Sequence, residues 1–200
     1  MSIENLLGED VENLHQKDWK IKHGTPNNPH YKEHWNRDDY FKFCFIRNPF
    51  DRAVSSYYFD LKIATESTID LALSLFKPKL NKRRRMMLKW FKDSPPQKGF
   101  SQFIKSNWFY KNSKHLLRKS VWSLQHNYIE NSSYDFIGRF ENLQEHFNTI
   151  SDKIKITNTK LPHINKSKHD HYTEYYDDET RNIIAEKYAK DIKYFEYEFK

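Results

Sequence analysis

The feature that most constrains this chain is Phe41 to Phe59, FKFCFIRNPFDRAVSSYYF. Phe41, Phe43, Cys44, Phe45 and Ile46 form a short apolar, aromatic-rich run, as a strand buried on both faces of a parallel sheet does. Arg47, Asn48 and Pro49 follow. Asn48 suits an N-cap, and Pro49 suits the first helical position, where its missing N–H is not needed. From Phe50 to about Leu61 there is no Gly or Pro, and a helix is expected. A strand, a tight turn and a helix N-terminus make an anion site, because N–H groups and the positive dipole end point outward. Arg47 adds a planar cation suited to phosphate, and Ser55 a hydroxyl eight residues on. The competing reading pairs Arg47 with a core carboxylate.

The string R-N-P-x-x-R-x-x-S-x-Y resembles the 3′-phosphate-binding segment of sulfotransferases that use PAPS (3′-phosphoadenosine 5′-phosphosulfate), the carbohydrate-type family most closely. The resemblance implies that Arg47 and Ser55 hold the 3′-phosphate of PAPS or of its product PAP, while Arg52 braces the helix. Two further strings follow in family order. Tyr134–Leu143, YDFIGRFENL, resembles a family strand running into a helix, with Glu141 structural at the helix start. Leu161–Ser167, LPHINKS, resembles a loop that covers the nucleotide, with Asn165, Lys166 and Ser167 as polar contacts. The implied fold is α/β, a parallel sheet flanked by helices as in P-loop nucleotide kinases, with the ligand at the carboxyl ends of the strands.

Other sites follow from the same resemblance. Trp19–His23 alternates like a strand and ends at Gly24-Thr25-Pro26. A histidine in a K-H-x-T setting is the family's general base, which makes His23 the candidate; its ordinary pKa near neutrality suits the task. A surface histidine at a loop start is the bland alternative. Ser123–Tyr128 resembles a stretch near the acceptor pocket, with Gln125 as a candidate contact. The family's phosphate loop, K-x-G-[ST]-S, occurs nowhere in the 200 residues. Ser2 to about Leu14 reads as the amphipathic helix that follows such a loop, so the chain is expected to lack the loop's strand, to be N-terminally incomplete and to be a poor enzyme as given.

The remaining features are less specific. One domain spans residues 1–200, with residues 63–130 a helical, basic, acceptor-side insertion punctuated by Pro78, Pro95, Pro96 and Gly99. Phe100–Trp108 and Val121–Ile129 are expected to pack as helices over the sheet. The formal charge of +7 favours an anionic partner. Lys77–Lys92 reads as a solvated helix face, a wall for an acidic glycan, or a nucleic-acid patch. The 5 Trp, 13 Tyr and 15 Phe compensate for a hydrophobic fraction of 37% in building a core. A lone cysteine, Cys44, excludes an internal disulfide and reads as a buried thiol. No apolar run approaches the ~20 residues of a membrane span, and the acidic N-terminus is unlike a secretory signal, so a cytoplasmic protein is expected. His30 with His34, and His163 with His169, Asp170 and His171, lack a ligand set in register for metal. The resembling chemistry requires no metal. An Asp177- or Asp178-capped helix with Ile184, Tyr188 and Ile192 on one stripe leads to a packed tail of Phe195, Tyr197 and Phe199.

These residues support three readings: sulfuryl transfer from PAPS to a carbohydrate hydroxyl, a non-catalytic relative binding nucleotide or polyanion, and a basic nucleic-acid-binding protein.

Overall fold

The structure, a computed structural model, describes residues 40–66, 96–106, 109, 122–130, 132–156, 160–162 and 169–200. Among these the chain is mixed α/β and divides into two compact units: 1–47 with 127–166, and 48–126 with 167–200.

In the first unit, β1 (Phe43–Ile46) pairs in parallel with β2 (Phe136–Arg139), Phe43 opposite Phe136 and Ile46 opposite Arg139. The ladder opens where the Lys42 carbonyl accepts the N–H groups of Asp135 (2.8 Å) and Phe136 (3.2 Å), and Asp135 Oδ2 accepts the Lys42 N–H at 2.6 Å. It closes where Arg139 N–H donates to His146 Nδ1 at 2.7 Å. Gly138 lies close under its partner: a Cβ there would lie 2.5 Å from Phe45 Cε1, so the half-buried phenyl ring would have to shift to admit a side chain. Burial on both faces does not hold for β1. Only Ile46 is buried, and Phe43, Cys44 and Phe45 are half-buried, because β2 is the strand's one ladder partner among the described residues. The Cys44 thiol is nonetheless pushed up to about 12 by desolvation. After β2 a 3-10 turn (Phe140–Asn142) carries Glu141, exposed, into helix α4 (Leu143–Lys153), whose Phe147 and Ile150 are buried.

The second unit is helical and aromatic. It contains α1 (Pro49–Glu66), α2 (Pro96–Ile104), a 3-10 turn (Tyr172–Tyr175), α5 (Asp178–Lys187) and α6 (Ala189–Phe195); the short α3 (His126–Ile129) starts at its last residue before the chain returns to the first unit. Val54, Tyr57, Phe100, Phe103, Ile184 and Tyr188 centre its core. Rings meet edge to face, as their quadrupoles prefer: Tyr57 on Phe100 at 5.6 Å, Phe100 on Tyr176 at 5.1 Å, Phe50 on Phe199 at 5.1 Å. Most of its phenols are hydrogen-bonded, while the Tyr57 hydroxyl is buried without a hydrogen-bond partner among the described residues. Tyr58 and Tyr175 share a hydrogen bond of 2.8 Å, Tyr176 donates to the Phe50 carbonyl, and Tyr188 donates to the Trp122 carbonyl.

Two helix boundaries differ from expectation. α2 begins at Pro96 and ends at Ile104, with Gly99 inside its first turn, because proline starts a helix as readily as it breaks one. Of the described residues 122–129 only the last four are helical, and Phe100 and Phe103 bury themselves against Tyr57, Tyr175, Tyr176 and Trp122, all in the second unit. The tail is as expected. Asp177 Oδ1 accepts the Thr180 N–H (2.7 Å) while Thr180 Oγ1 accepts the Asp177 N–H (3.0 Å), a reciprocal capping box. Ile184 and Tyr188 are buried, Ile192 packs beside them, and Phe195 and Tyr197 are buried behind.

Candidate functional site

The turn after β1 is built as its residues dictate. Asn48 Oδ1 accepts the Phe50 N–H at 3.0 Å, the Asn48 carbonyl accepts the Arg52 N–H at 2.8 Å, and Pro49 is the first helical residue. Asn48 Nδ2 also donates to the Glu198 carbonyl at 2.9 Å, tying this helix start to the tail. The cap changes the anion argument. Pro49 has no N–H and the Phe50 N–H is taken, so this terminus offers an anion fewer backbone donors than a bare helix end, and side chains carry more of the task.

Arg47 is the last residue of the first unit, directly after Ile46, with its guanidinium 4.4 Å from the centroid of Phe140. A cation over an aromatic face is attracted by ~0.5–2 kcal/mol, which holds the fork at the strand end. Ser55 belongs to the second unit, half-buried on α1, one turn beyond Arg52. Arg52 points to its own set of partners. Its Nη2 donates to the Ser123 carbonyl at 2.8 Å and lies 3.5 Å from Asp191 Oδ2, and the guanidinium is 5.0 Å from the Tyr188 centroid.

Gln125 lies just before α3, half-buried, its N–H donated to Asp191 Oδ2 at 2.9 Å. Asp191 Oδ1 accepts the next N–H, that of His126, at 2.8 Å. Within the second unit Arg52, Ser55 and Gln125 are therefore linked, the first two by one helix and the third through Asp191. The sequence reading missed Asp191. Its signal was its place three residues after Tyr188 and seven after Ile184, on the buried face of a helix otherwise rich in lysine.

His23, Asn165, Lys166, Ser167 and His163 lie outside the described residues, as do the Lys77–Lys92 run, His30, His34 and the amphipathic N-terminal segment. Leu161, at the head of the LPHINKS string, donates its N–H to Gln144 Oε1 at 2.8 Å. His169 packs on Tyr58 at 5.3 Å, and His171 Nδ1 meets Thr173 Oγ1 at 2.8 Å; no metal-binding cluster of His, Cys, Asp or Glu occurs among the described residues. No described helix is long and apolar enough to cross a membrane.

A second buried cation sits near Arg52. Lys187 Nζ lies 3.7 Å from the Phe109 centroid, 5.2 Å from Tyr188 and 5.6 Å from Trp122, buried and without a hydrogen-bond partner among the described residues. Burial, and then the Arg52 charge, lower its pKa to about 7. The Trp122 indole donates to Asp60 Oδ2 at 3.1 Å.

Comparison with known proteins adds one finding. A family model described as the sulfotransferase family matches residues 5–198. No curated protein and no solved structure matches.

Proposed function

The chain belongs to the sulfotransferase family, and on that premise we propose that it transfers a sulfuryl group from PAPS to a hydroxyl of a carbohydrate acceptor. Sulfuryl transfer is what the family supports; the donor, the acceptor and the residues named below are our reading. The observation that carries it is local: β1 leads through Arg47 into a helix capped by Asn48 and bearing Ser55. A permanent cation and a hydroxyl are residue types that fit a phosphate.

The reaction parallels phosphoryl transfer. The bond from sulfur to the leaving phosphate oxygen breaks as the acceptor oxygen bonds to sulfur, and the acceptor proton passes to a base. His23 is that base in this reading, and a neutral imidazole can accept the proton near pH 7. Arg47 and Ser55 hold the 3′-phosphate and so fix the donor's position. Asn165, Lys166 and Ser167 supply further polar contacts to the nucleotide, and Gln125 meets the acceptor. Holding both reactants in line lowers the barrier by several kcal/mol before any chemistry. The two units are read as parts of one sulfotransferase domain of the P-loop-kinase-like type.

The test is transfer of labelled sulfuryl from PAPS to a desulfated glycosaminoglycan. We expect labelled polysaccharide from the wild-type chain, formed slowly as the absence of K-x-G-[ST]-S requires, and a ~10²–10⁴-fold lower rate from His23→Ala, with PAP affinity retained. PAP binding with no labelled product on carbohydrate or on other hydroxyl acceptors would refute the transfer reading.

A further inference from the structure

The proposed function gives Arg47 and Ser55 to the donor and leaves the second arginine of R-N-P-x-x-R only the bracing of its helix. Its surroundings supply a further task. Arg52 donates to the Ser123 carbonyl at 2.8 Å, and Asp191 accepts the N–H groups of Gln125 (2.9 Å) and His126 (2.8 Å). Arg52 and Asp191 lie 3.5 Å apart, with side chains 17% and 0% exposed. Residues 123–126 are thus held at three backbone points, the carbonyl by a cation on α1 and the N–H groups by an anion on α6.

The energetics indicate what such a pair is for. A buried ion pair returns little net stability, because desolvation of both charges consumes most of the Coulomb gain. What it does supply is direction. A guanidinium nitrogen set between the Ser123 carbonyl and Asp191, and a carboxylate accepting two successive N–H groups, fit one backbone conformation and disfavour its neighbours. The stretch so held contains Gln125. The cation that holds it stands on α1, three residues before Ser55. The Ser55 contact to the donor and the stretch bearing Gln125 are therefore referenced to a single helix.

We propose that Arg52 and Asp191 are positioning residues for sulfuryl transfer, holding Ser123–His126 so that Gln125 meets the hydroxyl acceptor in fixed relation to the Ser55 helix. The inference rests on the donor and acceptor roles assigned above. A displacement of ~1 Å at such a contact can cost ~10²-fold in rate, so loss of the clamp acts on turnover more than on donor affinity.

The test uses Arg52→Lys, which keeps a cation beside Asp191 but loses the planar guanidinium that lies against Tyr188 and directs Nη2 at the Ser123 carbonyl. Transfer from labelled PAPS to desulfated glycosaminoglycan is measured beside PAP binding by calorimetry. We expect a PAP Kd within about twofold of wild type and kcat/KM for the polysaccharide lower by ~10–100-fold, mostly in kcat. The double variant Arg52→Lys/Gln125→Ala should be no worse than Gln125→Ala alone, since both act through one contact. General loosening of the fold would instead add the two losses, and additive losses overturn the proposal. So does an Arg52→Lys enzyme with wild-type kcat and KM. Should Arg52→Lys fail to fold, Arg52→Gln keeps a donor toward Ser123 without the charge, and the same non-additivity is expected of it. A wild-type chain that neither binds PAP nor transfers sulfuryl refutes the proposed function and this inference together, whereas an active wild type with a silent Arg52→Lys refutes the inference alone.

Discussion

Replacing Lys187 with Met should flatten part of the pH dependence of stability. In the folded protein the ammonium is buried among Phe109, Trp122 and Tyr188, and its pKa falls from 10.5 to about 7. That fall corresponds to about 5 kcal/mol at ~1.36 kcal/mol per pH unit. The ring faces attract the ammonium and return roughly 1–2 kcal/mol, which leaves about 3–4 kcal/mol. The sign follows from proton counting. Between pH 7 and 10.5 the unfolded chain holds a proton on Lys187 that the folded chain lacks, so stability rises with pH. Below pH 7 both states are protonated and the full burial cost persists. Met fills a similar volume, carries no charge and tolerates an aromatic surround. Urea denaturation of both proteins from pH 6 to 10 isolates the effect, because other titrations cancel in the difference between the two curves. We expect Lys187→Met to be the more stable at pH 6.5 and the gap to close by about 3 kcal/mol toward pH 10. Parallel curves would show that the amine is not desolvated as its surroundings require.

Gly138→Ala should destabilise the first unit by ~1–3 kcal/mol through overpacking on the Phe45 ring; in a Phe45→Ala background the same change should be nearly neutral, which thermal denaturation of the double variant checks. Asp177→Ala removes a reciprocal cap and should cost ~1 kcal/mol at pH 7. Burial acts to raise the Asp177 carboxyl pKa, but hydrogen bonds from Thr180, Lys105 and Ser101 outweigh it and hold it well below the usual range. That contribution is present above about pH 4 and is lost as the pH falls toward the lowered folded value, so the gap between Asp177→Ala and wild type should shrink in acid.

The parts of the site legible in the sequence are those decided within a few residues. Asn48 and Pro49 predict a cap because both act on the backbone beside them, and Asp177 or Asp178 does the same for α5, where the structure selects Asp177. The stripe of Ile184, Tyr188 and Ile192 predicts burial because helical spacing alone sets the face. Asp191 escaped because its meaning depends on N–H groups 65 and 66 residues away in the chain. β1 was overstated for a related reason: an apolar run reports that burial is possible, while its extent depends on how many strands and helices come to cover it. Pro96 was ambiguous in kind, since one ring can end a helix or begin one, and only the packing of Phe100 and Phe103 decides between them.

The central claim is that Arg47 makes this a site for a nucleotide bearing a 3′-phosphate, and the direct measurement is calorimetry of PAP beside 5′-AMP, which lacks that phosphate. A charge-assisted contact of ~1.5–3 kcal/mol predicts that wild type prefers PAP by ~10–150-fold, and that Arg47→Ala loses most of the preference while binding 5′-AMP as before. Equal affinity of wild type for the two nucleotides, or a preference for PAP that survives in Arg47→Ala, would contradict the account.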